Sequence, residues 1–418
     1  MADVKLIVHR GAYQIGGCIV EIRTAKSKVI IDLGQNFPYH GIPSEEEDRK
    51  RVEALLANEP RRYTSVVITH SHLDHTGLLP YVPKTVSVHM SKGTKAGCPP
   101  WLPLGGKVGT WVNPTQGEMG RTFWVGDIGI TPIAVSHSVF DPAMLLITAG
   151  GKRILHTGDF RLHGWVQQNL CTLLHANALP IDVLITEGTM LGTSDAEPYE
   201  EELVAPMAQF MRSHRHTVVL CSATDTERLA TISHAASSVG KRMWVTSPRL
   251  AAALRLYKRS NSGRRESEVF NFSFINKSDT IPASNHERYI YPVLTDQIGM
   301  LRNVMANANQ RDYGLIFACW PQNYLNELNR KLMPEFAEIR SLFNDVVDIH
   351  TSGHALPAHI AQLINTVQPR EAILTIHSDN PQEILNINLP EQLAAKVVPF
   401  NNYVDWITIA DEHQHIYL

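Results

Sequence analysis

The segment Thr69–Gly77, THSHLDHTG, sets the strongest limit on how this chain can fold. It follows SVVI, a β-branched run that reads as a buried strand. Side chains two apart on an extended segment point to one face, so His70 and His72 share a face. Asp74 and His75 come where the chain turns toward a helix, and they point elsewhere. Two imidazoles on one face can hold one zinc ion, and Asp74 with His75 can hold a second beside it. This stretch supplies half of such a site, so the fold must bring further ligands from distant segments. A lone His-x-His says far less. His214 and His216 in SHRHT, and His413 and His415 in EHQHIYL, have no acidic partner at useful spacing. Solvated helix or strand ends account for both pairs.

The rest of the composition narrows the class. At 44% hydrophobic and 19% charged residues the chain is that of an ordinary globular protein. Its 418 residues suggest about two to three domains. No apolar run is long enough to span a bilayer, so no membrane partner is expected. The start, MADVKLIVHRG, lacks a basic stretch before an apolar core and reads as a strand, which points to the cytoplasm. Five scattered cysteines form no Cys-x-x-Cys pair, so buried free thiols are expected. The net charge of −3 gives no overall basic surface, and a nucleic-acid partner would need a local patch.

Strand follows strand in the first part: KLIVH, CIVEIR, KVIIDLG and SVVITH, with a hairpin turn at TAKSK. SEEEDRKRVEALLANEP is a charged connection whose acidic start suits a helix N-terminus. Residues 92–120 are rich in Gly and Pro and read as an irregular loop. TFWVGDIGITPIAVSH, AMLLITAGGKRILHTGDF and IDVLITEGT resume the strands, with AGGK as a hairpin turn. After Thr189, strands and helices alternate, as in TVVLCSATDTERLATISHAASSVG and KRMWVTSPRLAAALRLYKR. That order suggests a parallel α/β unit inserted into the first domain.

His70, His72, Asp74 and His75 match the signature of the metallo-β-lactamase fold, and the remaining motifs follow in order. Asp32 in VIIDLG precedes the signature, while His137 in AVSHSVFD and Asp159 in HTGDF follow it. Beyond them, Glu187 in LITEGT, His354 in TSGHA and His377 in AILTIHSD resemble the three motifs of the β-CASP nuclease group. The resemblance implies an α/β fold, a metallo-β-lactamase αββα sandwich with an inserted α/β β-CASP domain. The sandwich is expected over residues 1–190 and 347–418, with the insert at 191–346.

The same resemblance implies two zinc ions per chain. His70, His72 and His137 would hold one, Asp74, His75 and His377 the other, with Asp159 bridging. His354 would be the general acid, Glu187 would hold its ring, and Asp32 would fix a ligand. Asp74, His354, Glu187 and Asp32 are thus the catalytic candidates. The implied reaction is hydrolysis of RNA phosphodiesters to a 5′-phosphate and a 3′-hydroxyl. RNA is favoured over DNA because RNA-directed members carry histidine at the position of His377. Single-stranded RNA is the expected partner, and the oligomeric state stays open.

Residues 241–265 hold eight Lys or Arg and no acidic residue. Phosphate contacts through Arg249, Arg255, Lys258 and Arg259 are one reading of this stretch. The solvated face of an amphipathic helix is the other. A small-molecule hydrolase of the thioesterase or lactonase kind, a DNA-directed β-CASP nuclease and a non-catalytic scaffold remain as alternatives. The first of these needs neither the insert nor TSGHA, and a scaffold usually loses ligands that are all present here.

Overall fold

The computed structural model describes residues 4–57, 62–114, 118–165, 174, 180–194, 196–260, 268–276, 288–398 and 407–409. His413, His415, Cys171, Arg264 and Arg265 lie outside them. Two compact units emerge. One comprises Met1–Leu162, Gln167–Ala196 and Gly353–Leu418; the other comprises His163–Val166 and Glu197–Ser352.

The first unit is built on two sheets. One runs, in spatial order, Ile407–Ile409, Val4–Arg10, Ile19–Arg23, Ser27–Ile31, Tyr63–Val67, Ser87–Ser91 and Lys107–Trp111. The other runs Ala372–Ile376, Val183–Glu187, Lys152–His156, Ala143–Ala149, Ile128–Ala134 and Phe123–Val125. Alternate side chains decide the layering. Val29, Ile31 and Val67 from the first sheet pack with Ile130, Ile147, Ile154 and Ile185 from the second, which is the core between them. Ile30, Val66 and Ile68 point the other way, onto Val52 and Leu55 of the helix Glu45–Leu56. Leu155, Leu184 and Ile373 pack on Ile360, Leu363 and Ile364 of the helix Pro357–Val367. Strands buried on both faces need the continuous β-branched runs seen in the sequence. The result is the expected four-layer αββα sandwich.

Both expected hairpins form. Ile19–Arg23 and Ser27–Ile31 pair antiparallel, as do Ala143–Ala149 and Lys152–His156. The second turns at Gly150 and Gly151, whose φ values of 53° and 84° suit glycine. The helix Glu45–Leu56 starts with a capping box, Ser44 and Glu47 each bonding the other's backbone N–H. Residues 92–120 depart from the irregular loop expected of them. They hold the helix Lys92–Gly97 and the strand Lys107–Trp111, which pairs parallel with Ser87–Ser91. The strand lies at a sheet edge, half exposed, where the long apolar run of a central strand is not required.

The second unit carries one sheet, in the order Phe274–Asn276, Arg242–Val245, Tyr289–Val293, His216–Leu220, Tyr313–Phe317 and Val346–Asp348. Every pairing in it is parallel. The helices Thr226–Ser238 and Pro248–Ser260 each follow a strand, as their sequence order suggested. His216 is not a solvated strand end: it is buried and stacked on Tyr313 at 4.4 Å. His214 has an acidic partner after all, Asp345, at 2.9 Å. Among the described residues no helix is long and apolar enough to cross a membrane.

Candidate metal centre

The candidate residues gather where strands of the first unit end. Ser27–Ile31 and Tyr63–Val67 run parallel, so Asp32 and the segment Ile68–His70 leave the sheet side by side. Lys152–His156, Val183–Glu187 and Ala372–Ile376 are also mutually parallel, and they deliver Asp159, Glu187 and His377. Carboxyl ends of parallel strands leave side chains and loops free to converge, which is where open α/β sheets place their sites. Asp32 and His377 each turn the chain just past a strand with φ of 59° and 53°. That conformation costs a residue with a Cβ about 1–2 kcal/mol.

Two ligand groups result. The rings of His70, His72 and His137 stand with centroids 4.9 Å apart in every pair. Nε2 of His137 lies 3.1 Å from Nδ1 of His72. Asp74, His75, Asp159 and His377 form the second group, with all ligand atoms within 4.8 Å of one another. His377 Nε2 is 3.0 Å from Asp74 Oδ2. Asp159 joins the groups: its Oδ2 lies 3.7 and 3.6 Å from Nε2 of His70 and His137, and 3.2 and 3.5 Å from Nε2 of His75 and His377.

Five of the inward imidazoles are held from behind. His75 Nδ1 meets Asp32 Oδ2 at 2.8 Å, and Asp32 also accepts from the Thr69 N–H and hydroxyl. His70 Nδ1 is 3.0 Å from Thr69 Oγ1, and His137 Nδ1 is 2.6 Å from the Gly353 carbonyl. His377 Nδ1 is 2.7 Å from Thr189 Oγ1. His354 Nδ1 is 2.9 Å from Glu187 Oε2, while Glu187 Oε1 accepts from the N–H groups of Phe160 and Ala355. His354 and His72 are half-buried; the other candidates of this centre are buried.

Burial pushes the His70 and His137 pKa values well down, and takes His72 to about 4, so these rings offer neutral nitrogen. Burial acts the same way on His75 but loses to Asp159, Asp74 and Asp32, which hold its proton on. At His354 burial is again outweighed, by Glu187 first, and the ring is held up at about 9. The donors suit a metal. His70 Nε2 is buried without a hydrogen-bond partner, facing a cluster of nitrogen and carboxylate donors. Such a set fits zinc, and His nitrogens held from behind by oxygen acceptors are the usual support for it.

Some of these parts were not among the expected residues. Thr69, Thr189 and the Gly353 carbonyl bond to the inward rings. The thiol of Cys18 comes within 4.8 Å of ligand atoms of His75 and His377. Burial, then the nearby carboxylates, push that thiol well up, so it stays protonated. A hydroxyl two residues after the acid of TEGT was the one available hint for Thr189. His156 supports a turn instead of joining the ligands: its Nδ1 accepts from the Gly158 N–H. In the second unit, Arg255, Lys258 and Arg259 are exposed on the helix Pro248–Ser260, while Arg249 lies 3.4 Å from Asp296. Lys241 of the same stretch is buried, donating to the Met211 carbonyl.

The family described as "Beta-lactamase superfamily domain" matches residues 38–228. Ribonuclease J of Helicobacter pylori is 28% identical over 225 residues, 49% of this chain and 30% of that protein. Ribonuclease J of Mycobacterium tuberculosis is 23% identical over 395 residues, covering 88% of this chain and 67% of that one. Endoribonuclease ysh-1 of Neurospora crassa is 30% identical over 217 residues, 45% of this chain and 24% of the relative. The chain thus spans about a third of the length of the first of these relatives. A crystal structure of a protein of unknown function from Enterococcus faecalis V583 superposes with a TM-score of 0.72 at 18% identity, covering 98% of this chain and 100% of that one. Residues 38–228 thus carry a β-lactamase superfamily domain, and the resemblance to β-CASP nucleases is supported by the ribonuclease J and ysh-1 relatives.

Proposed function

We propose that this chain is a zinc-dependent ribonuclease that hydrolyses RNA phosphodiesters, leaving a 5′-phosphate and a 3′-hydroxyl. The observation that carries the proposal is Asp159. One carboxylate oxygen lies 3.2–3.7 Å from the inward nitrogens of four histidines drawn from both ligand groups. That is the arrangement a bridging ligand needs. His70, His72 and His137 would hold one ion, and Asp74, His75 and His377 the other. When bound, two such ions make water a competent nucleophile near neutral pH and stabilise charge developing on a phosphodiester.

The chain's own residues supply the rest. Glu187 keeps His354 protonated at neutral pH and fixes its ring, so His354 can hand a proton to the leaving oxygen. Asp32 orients His75 and, through Thr69, His70. The second unit is the β-CASP domain, and its exposed Arg255, Lys258 and Arg259 would neutralise phosphates, with Arg249 beside them. Single-stranded RNA is the proposed substrate. The ribonuclease names of the relatives support that choice, and the cytoplasm is the proposed setting.

Elemental analysis of purified chain never exposed to chelator should find close to two zinc ions. The same preparation should cut a labelled oligoribonucleotide, and Asp74→Ala should abolish cleavage. Full metal content with hydrolysis of thioesters or lactones, and none of RNA, would replace this reading with a small-molecule hydrolase.

A further inference from the structure

We infer that Thr189 is a positioning residue that sets which nitrogen of His377 carries the proton, and so governs metal affinity at that ligand. The inference rests on the reading of His377 as a ligand.

Thr189 lies two residues past the end of the strand Val183–Glu187 and is 7% exposed. Its Oγ1 is 2.7 Å from Nδ1 of His377, 3.1 Å from Nδ1 of His354 and 3.3 Å from the His377 carbonyl oxygen. A hydroxyl has one proton to give and two lone pairs to receive with. His354 Nδ1 faces the stronger acceptor, Glu187 Oε2, at 2.9 Å, so that ring keeps its proton on Nδ1. It has no lone pair there to accept a proton from Thr189. The carbonyl of His377 can accept one, and the hydroxyl donates to it. The oxygen is then an acceptor toward both rings.

His377 Nε2 points at Asp74 Oδ2 and Asp159 Oδ2, at 3.0 and 3.5 Å. A neutral imidazole offers a lone pair at Nε2 only when Nδ1 holds the proton. Thr189 stabilises that tautomer by accepting from Nδ1. Were the hydroxyl turned to donate into Nδ1, the proton would sit on Nε2 and the ring could not ligate. The His377 carbonyl is the device that keeps the hydroxyl turned the right way. Threonine, stiff at χ1, holds its oxygen in place better than serine.

Thr189→Val keeps the shape and removes the acceptor. In the full chain it should weaken zinc binding at the site of Asp74, His75 and His377 by about 10–100-fold, as loss of such a partner typically does. Competition against a chromophoric chelator measures this, with circular dichroism as the check on folding. Thr189→Ser should return affinity to within a few-fold of wild type. The second readout needs no metal: ¹⁵N shifts of the imidazoles report tautomers in the metal-free chain. In the metal-free chain the Asp74 carboxylate competes for the proton at Nε2, so the share of neutral His377 with its proton on Nδ1 should be larger in wild type and Thr189→Ser than in Thr189→Val. Equal zinc affinity in wild type and Thr189→Val, or failure of serine to rescue, would overturn the inference. So would an unchanged His377 tautomer. If the wild-type chain took up no zinc, the two-metal reading would fail, and the tautomer alone would decide the role of Thr189.

Discussion

At His75, burial works against the charge on an imidazole, and three carboxylates work for it. The carboxylates win, so the metal-free chain carries a proton there through neutral pH. A ligand must be neutral to bind, so zinc has to displace that proton. Titrating zinc into metal-free chain in weak buffer should release about one proton for the ion at that site, and affinity should fall as pH is lowered. A pH-independent affinity between neutral and mildly acid conditions would count against His75 as a ligand. His354 gives the opposite handle. Its ring is held up at about 9 chiefly because Glu187 outweighs burial. Glu187→Gln removes the charge, so the His354 pKa must drop. A general acid works only while protonated, and the alkaline fall in kcat/KM should therefore begin at lower pH in the variant. His354→Ala should cost about 10²–10⁴-fold in rate with zinc still bound. Zinc loss in that variant would make His354 a ligand. Residues of this kind were legible wherever chemistry was concentrated in a short run, as in His70 to His75. Thr69 and Thr189 were not. A threonine is common everywhere, and its role exists only once the fold brings an imidazole to it.

The elements explain why the histidine segment stays rigid. The turn that carries Asp74 is clamped by backbone hydrogen bonds: Leu33 N–H to the His75 carbonyl, Gln35 N–H to that of Leu73, and Cys18 N–H to that of Asp74. Gly34 sits in the middle of this clamp. A Cβ there would fall 1.6 Å from the Asp74 carbonyl oxygen. Gly34→Ala must push the Asp74 turn away, and overpacking of this kind costs about 1–3 kcal/mol. Chemical denaturation should show the loss, and zinc affinity should drop with it. A variant of unchanged stability would mean the turn gives way freely. In the other unit, Arg228 and Glu200 form a pair that is 1% and 0% exposed, at 2.7 Å. Glu200→Ala removes the carboxylate that this buried guanidinium meets at 2.7 Å, and should cost about 3–5 kcal/mol. Strand runs buried on both faces were readable because they need unbroken β-branched sequence. The edge strand Lys107–Trp111 was not, because an edge tolerates the Gly and polar residues that also mark loops.

Across the whole molecule, the candidate catalytic and metal residues lie in the first unit and the exposed basic helix in the second. Charge reversal at Arg255, Lys258 and Arg259 should therefore spare zinc content while weakening RNA binding. Each lost phosphate contact on a single strand should flatten the log–log salt dependence by about 0.7. Binding of a labelled oligoribonucleotide across a salt series measures it, and an unchanged slope would leave the stretch a solvated helix face. The order of the segments along the chain has a consequence in time. His377 and Asp74 meet across 303 residues of sequence, with the second unit in between. A ribosome adds about 5–20 residues per second. A growing chain thus carries the histidine segment for many seconds before His377 is even synthesised. Asp74 and His377 can therefore come together only after the second unit has been made.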